Sequence, residues 1–242
     1  GAETIISGAG DDTINGGLSN DFIQGSAGSD VINGGAGLDT ASYADVTSAT
    51  SHGMTDVLGM GINLSANDIE DATIAADTDL NTAVGHDDAN NVLRAGTVQY
   101  LIDVDAGEKA DTYDIDTLNS VEGIVGSALN DYIVIGVDAV TVDAGAGDDV
   151  IFSGFADDNI SAGSGADVIN IASAADHGSA EVINGGSGGD VIQFNSEANG
   201  TLVLSAGVTG VETVGIADST GAADGETAES INASALTYGV AL

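Results

Sequence analysis

The sequence predicts an all-β chain of many short strands joined by tight glycine turns, and three observations predict it. Glycine supplies 36 residues and proline none, yet 43% of the chain is hydrophobic. An aspartate returns at every ninth position through two separate stretches. An aliphatic residue follows two positions after most of those aspartates. Glycine-rich text that stays this apolar differs from an acidic disordered tail, whose hydrophobicity is low. It suits short strands that share a core and are separated by sharp turns.

The repeat sets each element in order. Over residues 1–43 a partial copy, GAETII, is followed by SGAGDDTIN, GGLSNDFIQ, GSAGSDVIN and GGAGLDTAS. The acidic positions are Glu3, Asp12, Asp21, Asp30 and Asp39, and the aliphatic ones Ile5, Ile14, Ile23 and Ile32, closed by Ala41. A second block reads AGAGDDVIF, SGFADDNIS and AGSGADVIN, giving Asp149, Asp158 and Asp167 with Ile151, Ile160 and Ile169. A later copy, GGSGGDVIQ, adds Asp190 and Ile192, and a poorer one before it carries Glu181 and Ile183.

The tripeptide x-Ile-x makes one short strand with its aliphatic side chain inward, and the preceding residues reverse the chain. Glycine permits the positive φ that such a reversal needs. If strands alternate between two stacked sheets, residues 18 apart lie above one another. Asp12 then stacks on Asp30, Asp21 on Asp39, Glu3 on Asp21, and Asp149 on Asp167. Carboxylates stacked strand upon strand repel unless a cation lies between them. Calcium suits that position, because it is hard, tolerates irregular geometry and accepts carboxylate and carbonyl oxygens together.

Charge points the same way. Two basic residues face 39 acidic ones, for a formal net charge of −37. Self-repulsion of that size opposes a compact state. Nucleic acid and anionic membranes reward the Lys and Arg clusters that are missing here, so neither is an expected partner. Without cysteine there is no disulfide, which leaves metal ions to staple a loop-rich fold. No apolar run is long enough to span a membrane, and no Sec-type signal is visible.

The consensus G-G-x-G-x-D-x-U-x, with U aliphatic, resembles the nonapeptide of the calcium-binding repeats-in-toxin (RTX) family. The resemblance covers about residues 1–43 and 143–195 and implies a parallel β-roll, or β-solenoid, with calcium bound in its Gly-Asp turns. On that reading Asp12, Asp21, Asp30, Asp39, Asp131, Asp149, Asp158, Asp167 and Asp190 are the metal ligands, serving several Ca2+ ions. Asp131 joins them because it stands 18 residues before Asp149, within a stretch (Val121-Glu122, Gly126-Ser127, Asn130-Asp131) similar to one that re-enters an RTX roll. Ser7, Ser19, Ser26 and Ser153, and Ala144, Ala156 and Ala162, replace template glycines. The longer arm of Glu3 departs from the pattern as well.

Four segments follow: a first roll at 1–43, an irregular β-rich segment at 44–125, a second roll at 126–195 and a C-terminal β segment at 196–242. One continuous solenoid is the alternative division. Traces of the repeat recur at Asn91 with Leu93 and at Asp111, with Lys109 in a glycine slot. Residues 52–80 read as a looped excursion or a short helix. After residue 195, Leu202 and Leu204, then Val211, Val214 and Ile216, then Ile231 read as short strands, and GVETVGI and ESINASALT are similar to segments of RTX-bearing bacterial surface-layer proteins.

No catalytic constellation accompanies the repeats, and the chain is expected not to be an enzyme. His52, His86 and His177 lie in acidic loop-like text without HExxH spacing and read as solvated loop residues. Gly185 to Gly189 matches the G-x-S-x-G elbow only formally, since it sits in an ordinary repeat. The Asn-Gly pairs at Asn15, Asn33, Asn184 and Asn199 read as turn formers. The sequons at Asn63, Asn199 and Asn232 are cheap matches in such a composition. Asp11, Asp148 and Asp157, beside the repeat aspartates, are expected to face solvent.

The expected function is that of a secreted, calcium-dependent structural protein of an extracellular surface layer or related assembly, self-associating into a lattice or filament. A cell-surface polysaccharide is a further partner. The resemblance implies type I export to the surface of a Gram-negative bacterium. Two alternatives stay open: the calcium-folded secretion module of an exoenzyme or toxin, and an extracellular adhesin.

Overall fold

A computed structural model describes residues 1–48, 57–66, 69–70, 92–93, 95–102, 115–195, 201–216 and 230–236. All regular structure in these residues is β. Five strands open the chain: β1 (Thr4–Ile6), β2 (Thr13–Leu18), β3 (Phe22–Gln24), β4 (Val31–Ala36) and β5 (Thr40–Ser42). The odd strands pair in parallel with one another, as do β2 and β4, so the chain winds as a coil between two sheets. Thr4 sits opposite Phe22 and Thr13 opposite Val31, the 18-residue offset anticipated from the repeat.

An excursion follows: β6 (Val57–Asn63), β7 (Ile69–Glu70), β8 (Val92–Leu93), β9 (Thr97–Ile102) and β10 (Ile115–Asn119). Of the stretch 52–80, residues 57–63 and 69–70 are strand; Asn91, Lys109 and Asp111 lie outside the described residues. Winding then resumes with β11 (Gly123–Val125), β12 (Tyr132–Val134), β13 (Thr141–Asp143), β14 (Val150–Phe152), β15 (Asn159–Gly165), β16 (Val168–Ile171), β17 (Val182–Gly188) and β18 (Val191–Phe194). The described chain ends in β19 (Thr201–Val203), β20 (Val208–Thr209), β21 (Thr213–Ile216) and β22 (Ser230–Asn232).

Two large sheets run through both repeat blocks. The first has eight strands, ordered β1-β3-β5-β11-β13-β15-β17-β20. The second has ten, ordered β2-β4-β10-β9-β6-β12-β14-β16-β18-β21. In the first sheet β5 pairs directly with β11. In the second, β9 pairs antiparallel with both β10 and β6, and these strands separate β4 from β12. The excursion is thus woven into the roll as a local antiparallel insert.

The core is two columns of aliphatic side chains facing each other between the sheets. Ile23, Ala41, Ile124, Val142, Ile160, Ile183 and Val208 stack in the first sheet. Ile133, Ile151, Ile169, Ile192 and Val214 stack in the second, and all of them are buried. Outside the core, Asn33 donates through Nδ2 to Asn15 Oδ1 at 3.3 Å, and Asn195 to Asn170 Oδ1 at 2.8 Å. Asn15, Asn33 and Asn184 therefore lie within strands β2, β4 and β17, where they stack along the coil instead of closing two-residue hairpins.

Candidate metal centre

Residues i and i+2 of a strand share a face, so each repeat aspartate points to the same side as the aliphatic residue that follows it. The result is two rows of acids, one along each turn edge of the roll. On one edge Asp21 Oδ1 accepts the Glu3 N–H at 2.8 Å, Asp39 Oδ1 that of Asp21 at 2.8 Å, and Glu122 Oε2 that of Asp39 at 3.0 Å. After a gap at Val140, whose N–H reaches Asp158 Oδ1 at 3.0 Å, Glu181 Oε2 accepts from Asp158 at 3.0 Å.

The other edge repeats the device. Asp30 Oδ1 accepts from Asp12 at 2.9 Å and Asp116 Oδ1 from Asp30 at 2.8 Å. Beyond the insert, Asp131 Oδ1 accepts from Met60 at 2.7 Å, Asp149 from Asp131 at 2.7 Å, Asp167 from Asp149 at 2.8 Å, Asp190 from Asp167 at 3.0 Å, and Glu212 Oε2 from Asp190 at 2.8 Å. All nine sequence-selected aspartates fall in these rows. Asp116, Glu122, Glu181 and Glu212 complete them.

Sequence reasoning had not chosen those four as ligands. Their shared signal is acid-x-aliphatic: Asp116-Thr-Leu118, Glu122-Gly-Ile124, Glu181-Val-Ile183 and Glu212-Thr-Val214. Three are glutamates, so the longer arm tolerates the position. An outer row accompanies the inner ones, with Asp11 Oδ1 accepting from Ser29 at 3.0 Å and Asp148 Oδ1 from Ala166 at 2.7 Å, both acids being exposed as anticipated.

One carboxylate oxygen serves the backbone, and the second decides whether a cation fits. Asp21, Asp39, Asp149, Asp167 and Asp190 each bury an Oδ2 that accepts no hydrogen bond, and Glu181 does the same with Oε1. Such oxygens carry a large desolvation cost if left as they are. They face the turn. A Cβ at Gly16 would begin 2.8 Å from Asp21 Oδ2 and 2.5 Å from the Gly34 carbonyl oxygen, and one at Gly34 would meet Asp39 Oδ2 at 2.7 Å and the Ser120 carbonyl. Carboxylate and carbonyl oxygens thus converge where only glycine leaves room. Hard oxygen donors of this kind fit calcium. Among the described residues no three acids or histidines form a cage by themselves, so backbone carbonyls are needed to complete each site.

Two acids are built differently. Asp131 Oδ1 accepts the Ser127 hydroxyl at 2.6 Å and Oδ2 the Ser127 N–H at 2.6 Å, while Asp116 Oδ2 accepts the Tyr43 hydroxyl at 2.9 Å. The oxygen that elsewhere is open is taken from within, by the Ser127 N–H on Asp131 and by the Tyr43 hydroxyl on Asp116.

Burial raises the row acids of the second block. Asp149 is pushed up to about 9 by desolvation, then by the charges of Asp131, Asp167 and Asp148. Asp131 rises to about 7 by desolvation against its Ser127 hydrogen bonds, Asp167 to about 6 and Glu181 to about 8, burial leading in each. Asp158 and Asp190 are raised for the same reason. His177 is not the solvated loop residue anticipated. It is buried, its Nε2 accepts the Ser205 N–H at 3.1 Å, and desolvation lowers its basicity. His52 and His86 lie outside the described residues.

A parallel β-solenoid edged by rows of inward carboxylates defines a class of cation-binding repeat protein. Residues 6–41 and 141–169 match the family model described as the RTX calcium-binding nonapeptide repeat (4 copies). The chain carries RTX repeats, and these repeats bind calcium ions. They are typical of secreted extracellular bacterial proteins. No curated protein matches the chain. No helix among the described residues is long and apolar enough to cross a membrane.

Proposed function

We propose that this chain is a calcium-folded structural protein of an extracellular surface layer or related assembly, in which calcium acts on folding and cohesion and not on catalysis. The observation that carries the reading is the pair of acid rows with one buried, unaccepting oxygen on Asp21, Asp39, Asp149, Asp167 and Asp190. Without cation, these rows combine desolvation with like-charge repulsion. With it, each ion bridges successive coils, and binding energy becomes folding energy. Extracellular calcium modules work at roughly 10⁻⁴–10⁻³ M, far above cytosolic levels, so the ion acts as a location switch.

The extension from folding to assembly rests on charge and shape. A chain with 2 basic residues against 39 acidic ones cannot pair with copies of itself through ordinary salt bridges. Lateral contacts would use β edges, apolar patches or shared calcium. Exposed apolar side chains such as Leu18, Leu38, Val137 and Phe155 supply contact points of that kind. Electron microscopy of the purified chain in millimolar calcium, and again after chelation, tests this reading. Ordered sheets or filaments that vanish on chelation are expected. Dispersed compact particles in both conditions would overturn the assembly and favour a calcium-folded module of an exoenzyme, toxin or adhesin.

A further inference from the structure

The turn from β16 to β17 breaks the rhythm of the roll. Asp149 to Asp167 spans 18 residues, whereas Asp167 to Asp190 and Asp158 to Glu181 each span 23. Within this longer stretch, 172–181, three polar side chains are buried. Asp176 is 2% exposed, His177 6% and Glu181 1%. Each keeps one polar atom without a hydrogen bond: Asp176 Oδ1, His177 Nδ1 and Glu181 Oε1.

Acids from the neighbouring coil close in on the same place. Asp157 lies against Gly178, where a Cβ would collide with its Oδ1. The Glu181 carboxylate is repelled by Asp158, Asp157 and Asp176, and His177 feels the charge of Asp157. No lysine or arginine stands among the described residues to neutralise these groups. Buried carboxylates without a counter-charge are unstable as ions; protons neutralise them in the calcium-free fold, and a cation is the species that lets them stay buried and ionised together.

The histidine decides which cation. Its Nε2 accepts the Ser205 N–H, so the ring is neutral and carries its proton on Nδ1. Neither nitrogen is free to ligate. A soft or borderline metal that prefers imidazole gains nothing here, while a hard ion finds only oxygens. Nδ1–H is left to donate to a ligand carboxylate and orient it, a common outer role for histidine beside a metal.

We infer that the long turn 172–181 holds a calcium ion of its own, ligated by Asp176 Oδ1 and Glu181 Oε1, with Asp157 beside them and backbone carbonyls and water completing the shell. The site lies off the nonapeptide pattern, because Asp176 occupies no repeat position. It rests on the calcium-folded reading of the roll. It also ties the inserted turn to the coil before it, through Asp157, and to the following segment, through His177 and Ser205.

Native mass spectrometry of the calcium-loaded chain tests the inference, with calcium as the only added metal. Asp176→Asn is expected to bind one ion fewer than the parent, with an unchanged far-UV circular dichroism spectrum at saturating calcium. An unchanged ion count in Asp176→Asn would overturn the site. Asp149→Asn serves as the control: if that variant also keeps the full count, the row ligands fail and the underlying reading goes with them. Should Asp176→Asn not fold, Asp157→Asn, at an exposed residue, is expected to weaken the last-filled site several-fold, and unchanged affinity would sink the proposal. A zinc ion retained in preference to calcium, and lost in Asp176→Asn, would overturn the choice of metal.

Discussion

Single atoms set the behaviour of the turns. Gly16→Ala would place a methyl between Asp21 Oδ2 and the Gly34 carbonyl, overpacking that costs about 1–3 kcal/mol and filling the space a ligand would take. Weaker calcium dependence of folding, followed by circular dichroism, is expected for this variant. Gly215→Ala, where nothing lies within 4 Å, should leave both properties unchanged. Protons compete with calcium for the same oxygens. Asp167 at about 6, Asp131 at about 7, Glu181 at about 8 and Asp149 at about 9 all lie above the ordinary carboxylate value. A raised folded-state value means that the calcium-free fold binds more protons than the unfolded chain, so its stability is fully present below about pH 4. That stability is lost as pH rises through 6 to 9. Thermal unfolding in chelator should therefore show a higher midpoint at pH 5 than at pH 9, and the increment added by calcium should grow over the same range. A midpoint in chelator that rises with pH would contradict this picture.

At the level of strands, phase made most of the roll legible. Asp12, Asp21, Asp30 and Asp39 share one spacing and Asp149, Asp158 and Asp167 another run of it, so stacking followed from counting. Counting fails where the chain departs and returns. Asp30 meets Asp116 across 86 residues and Asp39 meets Glu122 across 83. No local period links such partners, and only the acid-x-aliphatic tripeptide survives as a mark. The antiparallel pairing of β9 with both β6 and β10 inside an otherwise parallel sheet was equally hidden, because strand composition does not record direction. His177 was misread since its loop is polar in sequence but folded inward. Among the strands, Ile151 is fully buried in the second-sheet stack, flanked by Ile133 and Ile169. Ile151→Ala should lower calcium-loaded stability by about 2–5 kcal/mol, measured by denaturant unfolding.

Across the whole molecule the two acid rows break at one level. On one edge Val140 stands where an acid would, between Glu122 and Asp158; on the other, the insert divides Asp116 from Asp131, and Tyr43 and Ser127 satisfy those two acids from within. Calcium should consequently fill two blocks separately. Hydrogen exchange along a calcium titration is expected to show residues 1–43 and 149–195 gaining protection at different concentrations, and Val140→Asp should draw the two midpoints together. One shared midpoint in the parent chain would refute the division. The rows also have a sense. In each inner pair the carboxylate belongs to the later coil and the N–H to the earlier one, the reverse of the exposed outer pairs at Asp11 and Asp148, so along the inner rows each coil is fastened by its successor, as roof tiles are held down by the course laid over them. A fault therefore travels upstream: in Asp167→Ala the amide of Asp149 loses its acceptor, while that of Asp190 keeps Glu212. Damage at one course lifts the course before it and leaves the one after it in place.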